Sequence, residues 1–91
     1  MFIVVTYDIV DDKRRTRIAK TMEDYGTRVQ YSVFECILEK ELLSEMINAL
    51  TAHINHEEDS IRFYILCKGC ITSVKMLGKG VLTEDKDVFI I

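Results

Sequence analysis

The first long apolar stretch of the chain ends in a carboxylate. Residues Phe2 to Ile9 are rich in β-branched and aromatic side chains, which indicates a strand. Neither face of this strand is polar before Asp8, so we expect both faces to be covered in the folded protein. The chain therefore begins with a strand buried in a sheet and ending on one acidic side chain.

The next segment, Asp12 to Tyr25, has the period of an amphipathic helix. At about 100° per residue, Ile18, Met22 and Tyr25 share one face of it. Acidic residues at its start suit the positive end of the helix dipole. Gly26 is expected to end the helix as the C′ glycine.

Three further strands and a second helix are predicted after Gly26. Arg28 to Gln30 and Ser32 to Leu38 read as strands that meet at a kink or bulge around Tyr31, and Ser60 to Cys67 reads as another. Glu41 to Ile54 has a helical period. The apolar stripe predicted to be buried along this helix is Leu42, Leu43, Met46, Ile47, Leu50 and Ile54.

The order β-α-β-β-α-β predicts an α+β protein of the ferredoxin-like class, with two helices on one face of a four-stranded antiparallel sheet. Residues 1–91 are expected to form one domain. Ile71 to Leu77 and Asp87 to Ile91 are predicted as two additional C-terminal strands. Because the last strand would be an aggregation-prone edge if it were left in water, we predict that the tail, about residues 79–91, pairs with a second protomer.

Composition narrows the class of protein. A chain of this length buries only about 60–65% of its unfolded surface, yet 48% of its 91 residues are hydrophobic, which favours burial by oligomerisation. Three cysteines, an odd number, fit a reducing compartment. The N-terminus lacks the basic region of a signal peptide, and no apolar run approaches the roughly 18 residues of a membrane span. We therefore expect a cytoplasmic protein without a membrane partner.

The net charge of −3 conceals a strongly basic segment. On the first predicted helix, the face opposite the apolar side is basic and Arg14 flanks it, whereas Arg15 lies at the edge of the apolar arc, which indicates a specific partner for its guanidinium. A run of charge ordinarily means a solvated helix face, but local basic density without intervening acids favours phosphate binding. The candidate nucleic-acid-binding residues are Lys13, Arg14, Arg15, Arg17, Lys20 and Arg28.

Asp8 is the candidate for metal chemistry, because a strand-ending carboxylate beside clustered arginines suggests a metal–phosphate or nucleic-acid site. The alternative is a carboxylate that only caps a strand or helix. Metal-dependent hydrolysis requires more oxygen ligands than one Asp supplies. Ser32 and its tyrosine neighbours offer hydroxyl groups, but no base lies at a motif spacing to activate them. We therefore expect Ser32 to form structural hydrogen bonds.

Cys67-Lys68-Gly69-Cys70 forms a C-x-x-C motif without a second copy. A zinc site needs four ligands, which here would require Cys36 with His53 or His56. Redox-active C-x-x-C motifs open helices, whereas the sequence after Cys70 predicts a strand. We therefore predict a plain hairpin turn, with both histidines exposed to solvent.

Three stretches together resemble a known family: Tyr7-Asp8-Ile9 with the Arg-rich helix start, Gln30-Tyr31-Ser32-Val33-Phe34-Glu35, and Asp59-Ser60-Ile61-Arg62-Phe63-Tyr64. Nearly the whole chain is similar to the small CRISPR-associated protein of spacer acquisition. This is the second Cas protein, the partner of the acquisition integrase.

The resemblance implies a homodimer of ferredoxin-like domains packed by their sheets, with the C-terminal strand crossing to the partner. It also implies that the two Asp8 carboxylates meet near the two-fold axis and hold one Mg²⁺ or Mn²⁺ per dimer, and that the site resembles that of a metal-dependent endonuclease. The further positions matched to the family's site are Tyr7, Arg15, Arg17, Arg28, Ser32 and Phe34, and those matched to its basic patch are Lys13 and Arg14.

Two functions follow from this resemblance and one alternative lies outside it. The first is a dimeric adaptor that bridges integrase subunits over double-stranded DNA. The second is an active metal-dependent endonuclease of RNA or DNA, with Tyr7, Asp8, Ser32 and Phe34 as candidate catalytic residues. The alternative is a ferredoxin-like regulatory module for a small ligand, which would leave Asp8 and the basic helix unexplained.

Overall fold

The structure is a computed structural model of the protein, and it describes residues 1–84. Four strands and three helices lie in this part of the chain. Their bounds are β1 Phe2–Asp8, α1 Asp12–Glu23, β2 Thr27–Gln30, β3 Val33–Ile37, α2 Lys40–Thr51, β4 Ser60–Leu66 and α3 Lys68–Thr72.

The strands form one antiparallel sheet in the order β2-β3-β1-β4. This confirms the predicted ferredoxin-like arrangement, in which β1 lies at the centre between β3 and β4. The register places Val5 opposite Phe34 on one side and Phe63 on the other. Because side chains alternate between the two faces of a strand, this register fixes which residues reach the core.

The core lies between one face of the sheet and the helices α1 and α2. Alternate residues of β1 and β3 point into it, followed by the Ile18 and Met22 side chains of α1 and the Met46 and Leu50 side chains of α2. The fully buried side chains include Phe34 and Cys36, whose spacing of two matches the strand period. The predicted apolar face of α1 is therefore confirmed, with Tyr25 packed at its margin.

The predicted buried stripe of α2 is partly wrong. Met46 and Leu50 are buried, and Leu43 packs against the core. Leu42 and Ile47, however, are 45% and 38% exposed. Leu42 directly precedes the core-facing Leu43, and Ile47 directly follows the core-facing Met46. Only a narrow stripe of α2 therefore reaches the sheet.

Gly26 does not act as the predicted C′ glycine, since it lacks the positive φ of that position and α1 ends earlier, at Glu23. Its backbone instead lies against β3. A Cβ at Gly26 would overlap the Cys36 Sγ and lie 2.6 Å from the Glu35 carbonyl oxygen. The glycine is required by this close approach. The predicted irregularity near Tyr31 occurs slightly earlier in the chain, as a register shift between Arg28 and Gln30.

The predicted strand from Ile71 to Leu77 is also wrong. A short helix, α3, occupies Lys68–Thr72, and the structure assigns no strand to residues 73–84. The Ile71 amide donates to the Cys67 carbonyl at 3.0 Å, so local hydrogen bonds satisfy a backbone that a strand would have had to pair across a sheet edge. The predicted strand at Asp87 to Ile91 lies outside the described residues.

Among residues 1–84, the other face of the sheet carries no helix except at one end, where Ile71 of α3 lies beside Phe2 and Leu66. We call this surface the open sheet face; its residues are Val4, Thr6, Asp8, Val33, Glu35, Arg62 and Tyr64. Phe2 is buried, Val4 and Thr6 are half-buried, and Asp8 is exposed. Within the part of the chain that the structure describes, the expected covering of both faces of β1 is therefore only partial.

No helix between residues 1 and 84 has both the length and the apolar character that crossing a membrane would require.

Replacing Gly26 by Ala tests the contact between the end of α1 and β3. We expect Gly26→Ala to lower the free energy of unfolding by about 1–3 kcal/mol, because the added methyl group overpacks against backbone as well as a side chain. Urea unfolding followed by circular dichroism measures the loss. Gly69→Ala is the control, since its Cβ would meet only the Cys67 Sγ at 3.9 Å. Equal stability of the two variants would contradict this account of Gly26.

Candidate functional site

Asp8 is the last residue of β1 and lies opposite Ser60 of β4. Its side chain is exposed and makes no hydrogen bond or salt bridge within residues 1–84. It borders a shallow cleft that is lined by Thr6, Tyr7, Ser60 and Arg62. The carboxylate is thus available to a ligand on the open sheet face, and no capping role within the described chain occupies it.

Tyr7 precedes Asp8 and points to the opposite face of the sheet, because strand side chains alternate. It is buried, and its hydroxyl donates to the Tyr31 carbonyl at 3.3 Å. The Tyr7 amide donates to the Ser32 carbonyl at 3.1 Å. Tyr7 therefore ties the end of β1 to the β2–β3 turn, and its hydroxyl is turned away from the open sheet face.

Arg28 completes this attachment from β2. Its Nη2 donates to the Tyr7 hydroxyl at 3.2 Å and its Nε donates to the Tyr31 carbonyl at 3.1 Å. The guanidinium carbon also lies 5.6 Å from the centre of the Tyr31 ring and 5.4 Å from that of Phe34, within the range of cation–π attraction. Arg28 is exposed, but these contacts hold its charged group beside the turn.

Phe34 supports the site from the core, whereas Ser32 borders it. Phe34 is completely buried and stacks on Tyr7 with ring centres 6.3 Å apart, so this position gives it no access to a substrate. Its contribution is to hold Tyr7 and Arg28. Ser32 is half-buried and lines a second shallow cleft that also borders Asp8.

Arg15 has the specific partner that its place at the edge of the apolar arc predicted. Its Nε and Nη2 donate to the Ile9 carbonyl at 3.2 and 2.8 Å, and its Nη1 forms an ion pair with Asp12. The guanidinium therefore fixes the backbone immediately after Asp8. Arg15 also lines the second cleft together with Ser32, so it brings positive charge to the edge of the site.

Arg14 is held by two acidic residues that sequence reasoning left unassigned. Its Nε donates to the buried carboxylate of Asp59 at 2.8 Å, and its Nη2 donates to Glu58 at 2.9 Å. Asp59 also accepts from the Val10 amide at 3.0 Å and the Asn55 amide at 2.9 Å. These hydrogen bonds, led by that of Arg14, hold the pKa of the Asp59 carboxyl far below its ordinary value.

The five predicted bases on α1 consequently fall into two groups. Arg14 and Arg15 are engaged in contacts that organise the β1–α1 loop. The other three predicted bases on α1 are exposed and form no salt bridge within residues 1–84; they are Lys13, Arg17 and Lys20. This second group forms the exposed basic surface of α1.

Arg62 is a site residue that sequence reasoning passed over. It is exposed on β4, pairs with Thr6, and lines the same cleft as Asp8. The sequence did contain a signal for Arg62, since it is a basic residue within an apolar strand. It lies two residues after Ser60 and therefore on the same face, and Ser60 lies opposite Asp8. Arg62 brings positive charge to the open sheet face, where the carboxylate alone would repel phosphate.

The donor set for a metal is incomplete within residues 1–84. Among residues 1–84, no three His, Cys, Asp or Glu side chains are grouped in a way that could hold an ion. Asp8 contributes one exposed carboxylate, and a hard divalent cation takes about six oxygen ligands, several of which can be water. Within the described residues, Asp8 therefore fits Mg²⁺ or Mn²⁺ as one ligand of a site whose other oxygens come from elsewhere.

Residues 1–74 match the family model described as CRISPR associated protein Cas2. The chain belongs to the Cas2 family. This confirms the resemblance found in the sequence.

Individual Cas2 proteins are similar over most of the chain. A Synechocystis sp. protein named CRISPR-associated endoribonuclease Cas2 3 is 47% identical over 85 residues, which cover 92% of each sequence. The crystal structure of Streptococcus pyogenes Cas2 at pH 6.5 matches with a TM-score of 0.75 and 41% identity, covering 86% of this chain and 100% of that one. A chain of a partial Cas6-RT-Cas1–Cas2 complex matches with a TM-score of 0.67 and 34% identity, covering 84% of this chain and 89% of that one.

The Arg14–Asp59 pair predicts how stability depends on pH. Because the pKa of Asp59 is lowered on folding, its contribution is complete above its ordinary value of 3.8 and is lost as the pH falls below that value. We expect Asp59→Asn to be less stable than the wild type at pH 7. The difference in unfolding free energy should begin to shrink as the pH falls through about 4 and should continue to shrink toward the much lower pKa of the folded state.

Urea unfolding at a series of pH values measures this effect. Glu57→Gln is the control, because Glu57 is exposed and forms no salt bridge within residues 1–84. Its curve should run parallel to that of the wild type. A stability difference for Asp59→Asn that is the same at every pH would show that the charge of Asp59 contributes nothing.

Proposed function

We propose that this protein acts in CRISPR spacer acquisition as a homodimeric adaptor that binds double-stranded DNA and CRISPR integrase subunits. Membership of the Cas2 family and the likeness to a chain in a Cas1–Cas2 complex support the assignment. The structural observation that carries the DNA-binding role is the exposed basic surface of α1. It is separate from the two arginines that stabilise the fold.

The exposed bases suit recognition of a phosphate backbone. Lys13, Arg17 and Lys20 are spaced by four and three residues, so they follow one side of α1. Two of the three are lysines, whose ammonium groups act on phosphate as point charges, and contacts to phosphate carry no base sequence information directly. Binding should therefore depend on duplex shape and charge, with little dependence on base sequence.

The open sheet face supports the dimer. No helix of residues 1–84 covers Val4, Thr6 and Tyr64 there, and Tyr64 is 47% exposed. Packing two such faces would bury apolar surface that one chain leaves in water. It would also place two Asp8 side chains on the same interface. The proposed exchange of the tail, residues 79–91, would release the hydrogen bonds that Thr83 makes with Glu35 of its own chain.

A second activity, metal-dependent hydrolysis of a phosphodiester in RNA or DNA, is favoured by the cleft that joins Asp8 to Arg62. The Asp8 carboxylates of two copies would hold one Mg²⁺ or Mn²⁺ per dimer, which supplies activation of water and neutralisation of charge when bound. Arg62 would bind a phosphate oxygen beside them. Tyr7, Arg28 and Phe34 would keep the end of β1 in place from the opposite face.

Charge reversal on α1 tests the adaptor. We expect Lys13→Glu with Arg17→Glu to weaken binding of a duplex at least tenfold in about 0.1 M salt, and to reduce the dependence of log Kd on log salt by about one unit per lost phosphate contact. Fluorescence anisotropy with labelled duplexes of two unrelated sequences measures both quantities.

A matched variant separates the surface from net charge. Lys40→Glu with Lys75→Glu changes the charge equally at two exposed positions away from α1, and it should bind nearly as the wild type does. Arg14 is left unchanged because its loss would also break the ion pair with Asp59. Equal weakening by the two double variants would refute a specific basic surface on α1.

Asp8→Asn tests the hydrolytic site. We expect any cleavage of RNA or duplex DNA that requires Mg²⁺ or Mn²⁺ to fall to the level of chelated samples, while the fold and duplex binding persist, because the Asp8 side chain makes no hydrogen bond within residues 1–84. Gel assays of cleavage and anisotropy measurements on the same preparations give both results. Asp24→Asn, at another exposed carboxylate, is the control.

The outcomes distinguish the two activities. Cleavage that is lost in Asp8→Asn and kept in Asp24→Asn would support an enzyme centred on Asp8. Cleavage of equal rate in all three proteins would mean that Asp8 is not its source. Retained duplex binding without any cleavage would leave the adaptor as the whole function.

A further inference from the structure

Two thiols lie in contact on the surface, outside the site described above. The Sγ atoms of Cys67 and Cys70 are 3.2 Å apart, and both residues are exposed. The predicted hairpin turn is not found, because Cys67 precedes α3 and Cys70 lies within it. We propose that Cys67 and Cys70 are a redox-active dithiol that forms an intramolecular disulfide by exchange with low-molecular-weight disulfides.

The geometry favours closure of the disulfide. A disulfide bond is about 2.05 Å long, so the two sulfur atoms need to approach by only about 1 Å. The residues are three apart and already held in one turn by the hydrogen bond from the Ile71 amide to the Cys67 carbonyl. The chain therefore loses little further freedom when the bond forms.

Hydrogen bonding identifies Cys67 as the attacking residue. Its sulfur accepts from the Cys70 amide at 3.3 Å and is in contact with the Cys70 thiol. These contacts lower the pKa of the Cys67 thiol, with the Cys70 thiol as the largest cause, whereas the neighbouring Cys67 raises that of Cys70. The thiolate is the reactive form of cysteine, so Cys67 should react first.

The reaction is an ordinary thiol–disulfide exchange. The Cys67 thiolate attacks one sulfur of a small disulfide such as oxidised glutathione, forms a mixed disulfide and displaces one small thiolate. The Cys70 thiolate then attacks the Cys67 sulfur and displaces the second. Two protein thiols are oxidised with loss of two protons, and the small disulfide is reduced to two thiols.

The remaining cysteine serves as an internal reference. Cys36 is completely buried in the core, and burial raises the pKa of its thiol to about 11. It therefore has neither the access nor the thiolate content that exchange requires. Its depth also removes it as a partner in a zinc site with the surface pair, and His53 and His56 form no group with the cysteines within residues 1–84.

The position of the pair links it to the sheet. α3 follows β4 directly, and Cys67 and Ile71 line an apolar cleft with Phe2, Ile37 and Leu66. Disulfide formation would fix the turn that holds Ile71 at this end of the open sheet face. The oxidation state would thereby alter how rigidly one end of that face is covered.

The test uses the full-length protein, reduced and then equilibrated with defined ratios of reduced and oxidised glutathione at pH 7. After an acid quench and alkylation under denaturing conditions, mass spectrometry should find the wild type two hydrogen atoms lighter, with one alkyl group, on Cys36. Cys70→Ser should accumulate one glutathione at Cys67. Cys67→Ser should react at Cys70 several times more slowly.

Other outcomes would overturn the proposal. They are two glutathiones on the wild type without an internal disulfide, equal rates in the two serine variants, or oxidation of Cys36 as fast as that of the surface pair. Zinc that is bound stoichiometrically to the purified protein and released by a thiol reagent would assign the pair to a metal instead. Circular dichroism of both variants checks that these exposed substitutions leave the fold intact.

Discussion

The buried carboxylate of Asp59 organises the end of the sheet at which the candidate site lies. It receives hydrogen bonds from the backbone after β1, from the backbone after α2 and from Arg14 at the start of α1. Since Asp8 pairs with Ser60, the residue after Asp59, the same carboxylate sets the relative position of the two strands that border Asp8. A charge this well paired contributes rigidity where a free carboxylate would only have cost desolvation.

A second set of contacts reaches the same strand end from the opposite face. Tyr7, Arg28 and the Tyr31 carbonyl join β1 to the β2–β3 turn, with Phe34 packed beneath them. Arg15 binds the Ile9 carbonyl between these two sets of contacts. The exposed Asp8 side chain is therefore carried on a backbone held from three directions, which is the support that the proposed metal ligand requires.

The division of the basic residues has a physical logic. The planar guanidinium group of an arginine can donate to several oxygens at once. Arg14, Arg15 and Arg28 use it to join separate segments of the chain by hydrogen bonds. Lys13, Arg17 and Lys20 point outward, where strong hydration costs nothing and a polyanion can displace water and counterions. One helix thus stabilises the fold and presents a charged surface, and a substitution in the wrong group would confuse the two roles.

The order of the elements and the apolar face of α1 could be predicted from the sequence, because the periods of strands and helices depend on residues close together in the chain. The family could likewise be recognised from the sequence. The narrow buried stripe of α2 was not, since the reach of the sheet decides whether Leu42 and Ile47 are covered. Neither was the partner of Arg14, which lies 45 residues away, nor the close approach of Gly26 to β3. The short helix at Cys67 prevailed over a strand pattern because its hydrogen bonds form locally while a strand needs a free partner edge. The sequence alone determined which chemical groups the protein carries and the order in which they occur. Tertiary structure alone decided which of these groups bind one another inside the protein and which face outward, because that depends on contacts between residues far apart in the chain.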